Sequence, residues 1–195
     1  MEEVDFSVYD NVFSNEFIKE LNKICNTIPN IPGNIVKGPN GESDNSPHNL
    51  LGSTLYERYS KYVFKSSCPI ELLQAFQHIA DNVIKKDLDL WRIDSNLQTK
   101  SMDGTVHTDT GDTVLFFTTD KWEKGWGGEF QLFNSSSNRL LKTFEYVPGR
   151  VIYFKGRIPH RGLAPIVPYV YRHSIAYRVS HENYNINHQI ESTKY

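Results

Sequence analysis

The sequence predicts a mainly β fold with flanking helices, its antiparallel sheets stacked face to face, and three observations lead there. From Leu88 onward, apolar and β-branched runs alternate with turn signals, and no helical periodicity separates them. Helical spacing is confined to two stretches within the first 87 residues. Aromatic residues are abundant, with 11 Tyr, 11 Phe and 3 Trp, which suits broad sheet faces. A chain of 195 residues is long enough for one domain that buries about 70% of its unfolded surface without disulfides. The reading is a single domain over 1–195, with helical and loop-rich support over 1–87, a β core over 88–180 and a polar tail over 181–195.

The first helix starts at Ser14, whose hydroxyl can cap it, with Glu16 in the first turn and Phe17, Leu21 and Ile24/Cys25 at helical spacing. A full capping box is absent, because the third residue after Ser14 is Phe17. Pro29 and Pro32-Gly33 close the segment. The polar stretch from Lys37 to Pro47 reads as a loop, of a composition that fits a surface excursion and also a lid. A second helix is expected from Ile70 to Ile84, where Leu72, Leu73, Phe76, Ile79, Ala80 and Val83 recur at three- and four-residue intervals. His78 lies beside that stripe without a histidine or acidic partner at helical spacing, so it reads as an ordinary helix residue. Strands are expected over Leu88–Thr99, Thr105–Thr119, Gly128–Phe133, Leu140–Tyr146, Arg150–Phe154 and Tyr169–Ser180. Turn signals separate them at Asp103-Gly104, Asn134 to Asn138 and Pro148-Gly149.

Chemistry concentrates in His107-Thr108-Asp109, followed fifty-one residues later by His160 and then by Arg172-His173-Ser174. On a strand, residues two apart share a face, so His107 and Asp109 can reach one metal and His160 can complete the set from a neighbouring strand. Two imidazoles and one carboxylate are the facial ligand set of non-haem Fe(II). Seven histidines and 23 acidic residues would supply about one His-x-Asp/Glu by chance, so the spacing alone decides nothing. An ordinary hydrogen-bonded pair on an exposed strand is the competing reading. Arg172 and Ser174 share a face of the last strand, where an arginine can grip a carboxylate through two parallel hydrogen bonds, which makes a diacid co-substrate the natural ligand for the open metal positions. His173 points to the other face and is set aside as a ligand. Arg178 shares the Arg172 face further along and is the poorer anchor. Arg150 and Arg161 sit beside turns, His48, His181 and His188 read as solvated, and Trp126-Gly127-Gly128-Glu129 reads as structural.

Taken in order, Asn96-Leu97-Gln98-Thr99, His107-Thr108-Asp109, Trp126-Gly127-Gly128-Glu129-Phe130, Pro148-Gly149-Arg150, His160-Arg161-Gly162 and Arg172-His173-Ser174 resemble the Fe(II)/2-oxoglutarate-dependent oxygenases, most closely the branch with a prolyl 4-hydroxylase-like domain. The resemblance spans roughly the second half of the chain. It implies a jelly roll, or double-stranded β-helix, over 88–180, with iron on His107, Asp109 and His160. It also implies that Arg172, assisted by Ser174, pairs with the distal carboxylate of 2-oxoglutarate, and that Asn96 points into the same cavity. Dioxygen is the second co-substrate it implies, with 2-oxoglutarate decarboxylated to succinate while an unactivated C–H bond is hydroxylated. Related halogenases lack the ligand carboxylate, so Asp109 favours hydroxylation. Collagen-type prolyl 4-hydroxylases use a lysine where Arg172 stands, which leaves the co-substrate unchanged and weakens the case for a prolyl substrate.

A peptide or protein substrate, with a prolyl residue as its target, is the expected partner by resemblance, and a free amino acid, another protein side chain and a nucleobase fit the same residues. The net charge of −2 provides no broad attraction to nucleic acid, and no apolar run is long enough to span a membrane. Cys25 and Cys68 lie far apart and no apolar leader follows Met1, which points to free thiols in a reducing cytoplasm. Two other readings fit the same ligands: a jelly-roll protein that holds a metal or diacid without turnover, and a zinc hydrolase on a β scaffold.

Overall fold

The computed structural model describes residues 5–32, 50–59 and 62–180. The elements run β1 (Phe6–Tyr9), α1 (Asn15–Cys25), β2 (Ile31–Pro32), β3 (Leu51–Tyr59), β4 (Tyr62–Ser66), α2 (Ile70–His78) and a π-helical turn (Ile79–Ile84). They continue with β5 (Asp89–Gln98), β6 (Asp112–Phe117), β7 (Phe130–Phe133), β8 (Leu140–Phe144), β9 (Val151–Phe154), β10 (His160–Gly162) and β11 (Arg172–Ser180). A large antiparallel sheet has the order β1-β9-β6-β11-β5-β3-β2, with β4 paired to β3, and a small sheet has the order β10-β7-β8. Such a pair of antiparallel sheets is a jelly roll.

Strand alternation explains how the large sheet serves two cores. Val114 and Phe116 of β6, with Ile175 and Tyr177 of β11, pack on the helical side against Ile18, Leu21, Leu72, Phe76 and Ile79. Leu115 and Phe117, with Ala176 and Phe154, face Phe130, Leu132 and Phe144 of the small sheet. All six residues of β6 are buried, as expected for a strand covered on both faces. On β11, Arg172 and Ser174 share the parity of Ala176 and so point between the sheets, whereas His173 shares that of Ile175 and points to the helices. Directly paired residues share a face, so Gln98 and Asn96 of β5, opposite Arg172 and Ser174, belong to the inter-sheet side as well.

α1 starts as expected: the Ser14 hydroxyl accepts the Phe17 N–H at 3.2 Å, and Ile18, Leu21 and Cys25 are buried. α2 covers the first part of the Ile70–Ile84 helix, which then widens into the π turn and stops at Lys85 in the left-handed region (φ 56°). The support over 1–87 is not only helices and loops, because β1, β2, β3 and β4 all extend the large sheet. The β3 pattern escapes an alternation count because a bulge between Thr54 and Tyr56 breaks its period of two.

Thr105–Thr119 is not one strand. Only Asp112–Phe117 joins the large sheet, while His107 makes an isolated bridge to His160 in the small sheet. The chain changes sheets at Gly111, whose φ of 77° interrupts an extended strand. β11 likewise begins at Arg172, after Tyr169 at φ 61°. The 37–47 loop, the 181–195 tail, His48, His181 and His188 lie outside the described residues. Among the described residues no helix is long and apolar enough to cross a membrane, and Cys25 and Cys68 are free thiols.

Candidate metal centre

The crossing segment and β10 bring three side chains together. His107, Asp109 and His160 each offer one ligand atom, and these atoms all lie within 4.8 Å of one another. His107 Nε2 is 3.6 Å from Asp109 Oδ1, and His160 Nε2 is 3.2 Å from Asp109 Oδ2. Each imidazole places Nδ1 on a carbonyl two residues back, Thr105 at 3.0 Å for His107 and Ile158 at 2.8 Å for His160. A carbonyl only accepts, so Nδ1 carries a proton, and Nε2 is the ring atom turned toward the carboxylate. Burial lowers the pKa of His160 to about 4, against the opposing bond to Ile158, and its imidazole is neutral at physiological pH, as metal ligation requires.

Asp109 is fixed from several sides. Its N–H donates to the Gly156 carbonyl at 2.7 Å, and Thr113 Oγ1 donates to Oδ2 at 2.7 Å. Arg178 Nη1 forms an ion pair with the same Oδ2 and donates to Thr113 Oγ1 at 2.7 Å. Behind it, Asp94 lies 3.9 Å from Arg178 Nε and is itself held by Arg92 Nε, 2.9 Å from both oxygens, and by Thr54 at 2.8 Å. With Oδ2 committed to the Arg178 guanidinium and the Thr113 hydroxyl, Oδ1 is the oxygen turned toward His107. Burial lowers the Arg178 pKa to about 10, with Asp94 opposing, and the guanidinium stays charged at neutral pH.

The second half of the site is Arg172, fully buried between the sheets. Its Nε donates to the Gly128 carbonyl at 2.8 Å, and its Nη1 donates to Gln98 Oε1 at 2.8 Å and to Ser174 Oγ at 3.3 Å. Nη2 has no hydrogen-bond partner among the described residues. The guanidinium lies 5.1 Å from the Phe117 ring centroid and 5.4 Å from that of Tyr146. Burial lowers its pKa to about 10, while Tyr146 and Glu129 oppose the shift, so the cation persists at neutral pH. A buried cation with an orphaned nitrogen is costly unless an anion completes it. Gly162 ties this group to the metal residues: a Cβ there would sit 3.2 Å from Arg172 Cζ, and Gly162 is two residues beyond His160 on β10. Two residues advance roughly 6.6 Å along a strand, the reach of a short diacid.

The structure therefore gathers His107, Asp109 and His160 into one group and places Arg172 and Ser174 together a short way off. Asn96 is half-buried opposite Ser174 on the same face. His173 is turned away, with Nε2 at 2.7 Å from Ser95 Oγ. Arg150 is tied to Asp10, and Arg161 to Gln131 and the Phe133 ring. Three contributors escape sequence reasoning. Thr113 sits in an apolar run, Gln98 falls inside the Asn96-Leu97-Gln98-Thr99 marker with no role of its own assigned, and Arg178 reads as a distant second anchor although its parity puts it on the right face.

No protein-family model matches the chain, and no curated protein matches it in sequence. Solved structures match it in fold. A Pseudomonas putida prolyl-4-hydroxylase superposes with a TM-score of 0.63 at 14% identity, over 91% of this chain and 93% of that one. The fold is that of the 2OG-Fe(II) oxygenases. A Trichoplax adhaerens prolyl hydroxylase in complex with a hypoxia inducible factor oxygen degradation domain peptide fragment matches with a TM-score of 0.62 at 15% identity, over 91% and 84%. HygX from Streptomyces hygroscopicus, with nickel and 2-oxoglutarate bound, has the same oxygenase fold (TM-score 0.60, 10% identity, 92% and 84% covered).

Proposed function

We propose that this chain is an Fe(II)- and 2-oxoglutarate-dependent dioxygenase that hydroxylates an unactivated C–H bond, with a prolyl residue of a peptide or protein as its substrate. The observation that carries the reading is the coexistence of a His-Asp-His group with a buried guanidinium, one nitrogen of which has no partner. The residues fit the groups: two imidazoles and a carboxylate suit a divalent ion with open positions, and the orphaned Arg172 Nη2 suits the distal carboxylate of a diacid. A zinc hydrolase has no use for that anchor.

His107, Asp109 and His160 would hold the iron, which when bound supplies the activation of dioxygen coupled to decarboxylation of 2-oxoglutarate. Arg172 receives the distal carboxylate with the Ser174 hydroxyl beside it, and Asn96 lines the same face. Arg178 and Thr113 hold Asp109 in orientation. Phe130 and Phe154, with ring centroids 5.6 and 4.7 Å from that of His160, exclude water from the inner side of the centre. The peptide in the Trichoplax complex supports a peptide substrate here by analogy of fold alone. Free Cys25 and Cys68 are in keeping with action in a reducing cytoplasm.

The test is the conversion of 2-oxoglutarate to succinate in air, followed by NMR with wild type and Asp109→Ala across a panel of proline-containing peptides. Succinate that depends on Fe(II) and on Asp109, with one peptide gaining the mass of an oxygen atom, is the expected result. Substantial succinate from the variant would remove the assignment. Succinate without any modified peptide would leave the oxygenase and dismiss the prolyl substrate.

A further inference from the structure

Every hydrogen-bond partner of the Arg172 guanidinium among the described residues is neutral: a backbone carbonyl, a hydroxyl and the Gln98 amide. A carboxylate at position 98 would be nearly isosteric and would pair with the arginine, as buried arginines usually are paired. Gln98 instead offers a neutral oxygen to Nη1 at 2.8 Å and spends its own N–H groups on the carbonyls of Met102 at 2.7 Å and Gly162 at 3.0 Å. Those donations fix which end of the amide faces Arg172, because a flipped amide would oppose N–H to N–H and oxygen to oxygen. Glu129 is felt electrostatically but makes no hydrogen bond to the guanidinium.

We infer that Gln98 is a positioning residue that sets the charge selectivity of the co-substrate pocket. It orients Arg172 through Nη1 while leaving its positive charge for the ligand, so that a 2-oxo acid with a distal carboxylate is accepted and one with an apolar end is rejected. The inference rests on the proposed 2-oxoglutarate site and adds to it the residue that governs which 2-oxo acids enter. It also restricts the grip: with Nε and Nη1 already engaged, the carboxylate is received by Nη2 and the Ser174 hydroxyl, not by two parallel bonds from the guanidinium fork.

The test compares 2-oxoglutarate with 2-oxopentanoate, which has the same chain length and lacks the distal carboxylate, by anaerobic calorimetric titration of Mn(II)-loaded protein. Wild type is expected to prefer the diacid strongly. In Gln98→Glu the diacid should weaken by about 30- to 1,000-fold, the cost of bringing a carboxylate to an already paired arginine. Gln98→Glu also turns an oxygen toward the Met102 and Gly162 carbonyls, so 2-oxopentanoate and Mn(II) binding are measured on the same protein: that lesion weakens both acids alike, whereas the charge effect lowers the diacid's affinity relative to 2-oxopentanoate. Gln98→Met, similar in volume and uncharged, should keep the diacid preference whatever its absolute affinity. If Gln98→Glu does not fold, the shorter Gln98→Asp introduces the same charge at the same position and should weaken the diacid selectively as well. A folded Gln98→Glu or Gln98→Asp protein that still prefers the diacid as wild type does overturns the role of Gln98 and leaves the proposed function standing. A wild type with no preference for the diacid overturns both.

Discussion

Asp109, the proposed carboxylate ligand, illustrates how far a side chain's behaviour is decided by neighbours that would touch no metal. Thr113 and Arg178 both engage its Oδ2, and Arg178 is backed by Asp94, so the carboxylate cannot rotate without breaking an ion pair and a hydrogen bond. Removing such outer partners typically costs about 10- to 100-fold in metal affinity. Arg178→Met is therefore expected to weaken Mn(II) binding by about that factor, measured by competition with a chelator, while Thr113→Val should lose less because one neutral bond goes. Unchanged affinity in Arg178→Met would make Arg178 a purely structural ion-pair partner. The juxtaposition of His107, Asp109 and His160 was legible in the sequence because their order, with Arg172 after them, restricts the chemistry sharply. Gln98 and Thr113 were not, since a glutamine or threonine in a strand has the same local signature whether it holds a catalytic group or packs idly.

At the scale of elements, the informative feature is the crossing between sheets. His107 pairs with the small sheet and Asp112 begins a strand of the large one, so Asp109 sits where the chain passes from one to the other. Gly111 and Gly156 make this crossing possible. A Cβ on Gly156 would overlap the Gly111 carbonyl oxygen and lie 2.8 Å from that of Asp109, the segment whose N–H Gly156 receives. Gly156→Ala is expected to cost about 2–4 kcal/mol of stability and to impair metal binding in the fraction that folds, readable by denaturant titration and by Mn(II) binding. A loss below about 0.5 kcal/mol would show that the backbones separate freely there. Alternation placed most of the core strands within a few residues, yet it read Thr105–Thr119 as one strand. Hydrophobic period reports which face a residue takes and says nothing about which sheet it belongs to. The first third suffered differently, because a bulged strand such as β3 has no constant period to find.

For the whole molecule, one sheet with a helical layer on one face and a small sheet on the other buries polar groups on both sides. On the helical side His173 is 1% exposed, and burial together with the Arg172 charge lowers its pKa to about 4. A histidine lowered on folding binds its proton more tightly when unfolded. Its contribution is therefore full above an unfolded pKa of about 6.5 and is lost as the pH falls toward the folded value. We expect about 1–3 kcal/mol of stability to disappear between pH 6.5 and pH 4, and His173→Gln to flatten that limb in denaturant titrations. An equally steep limb in the variant would assign acid sensitivity to other groups. This layering also explains why the architecture was readable from composition and turns while its wiring was not: antiparallel sheets announce themselves locally, but their order is set by which apolar faces find each other.

The central claim is that one cavity holds a metal through His107, Asp109 and His160 and a diacid through Arg172. Its most direct test is an anaerobic titration of the metal-free protein with Fe(II) and then 2-oxoglutarate, watching for the weak visible charge-transfer band of the chelate, with Arg172→Ala alongside. The account expects the band only after both additions, with saturation in the variant demanding at least about tenfold more 2-oxoglutarate, the loss of a charge-assisted hydrogen bond. Iron binding without a band at any 2-oxoglutarate concentration, or a band that ignores the loss of Arg172, would contradict it.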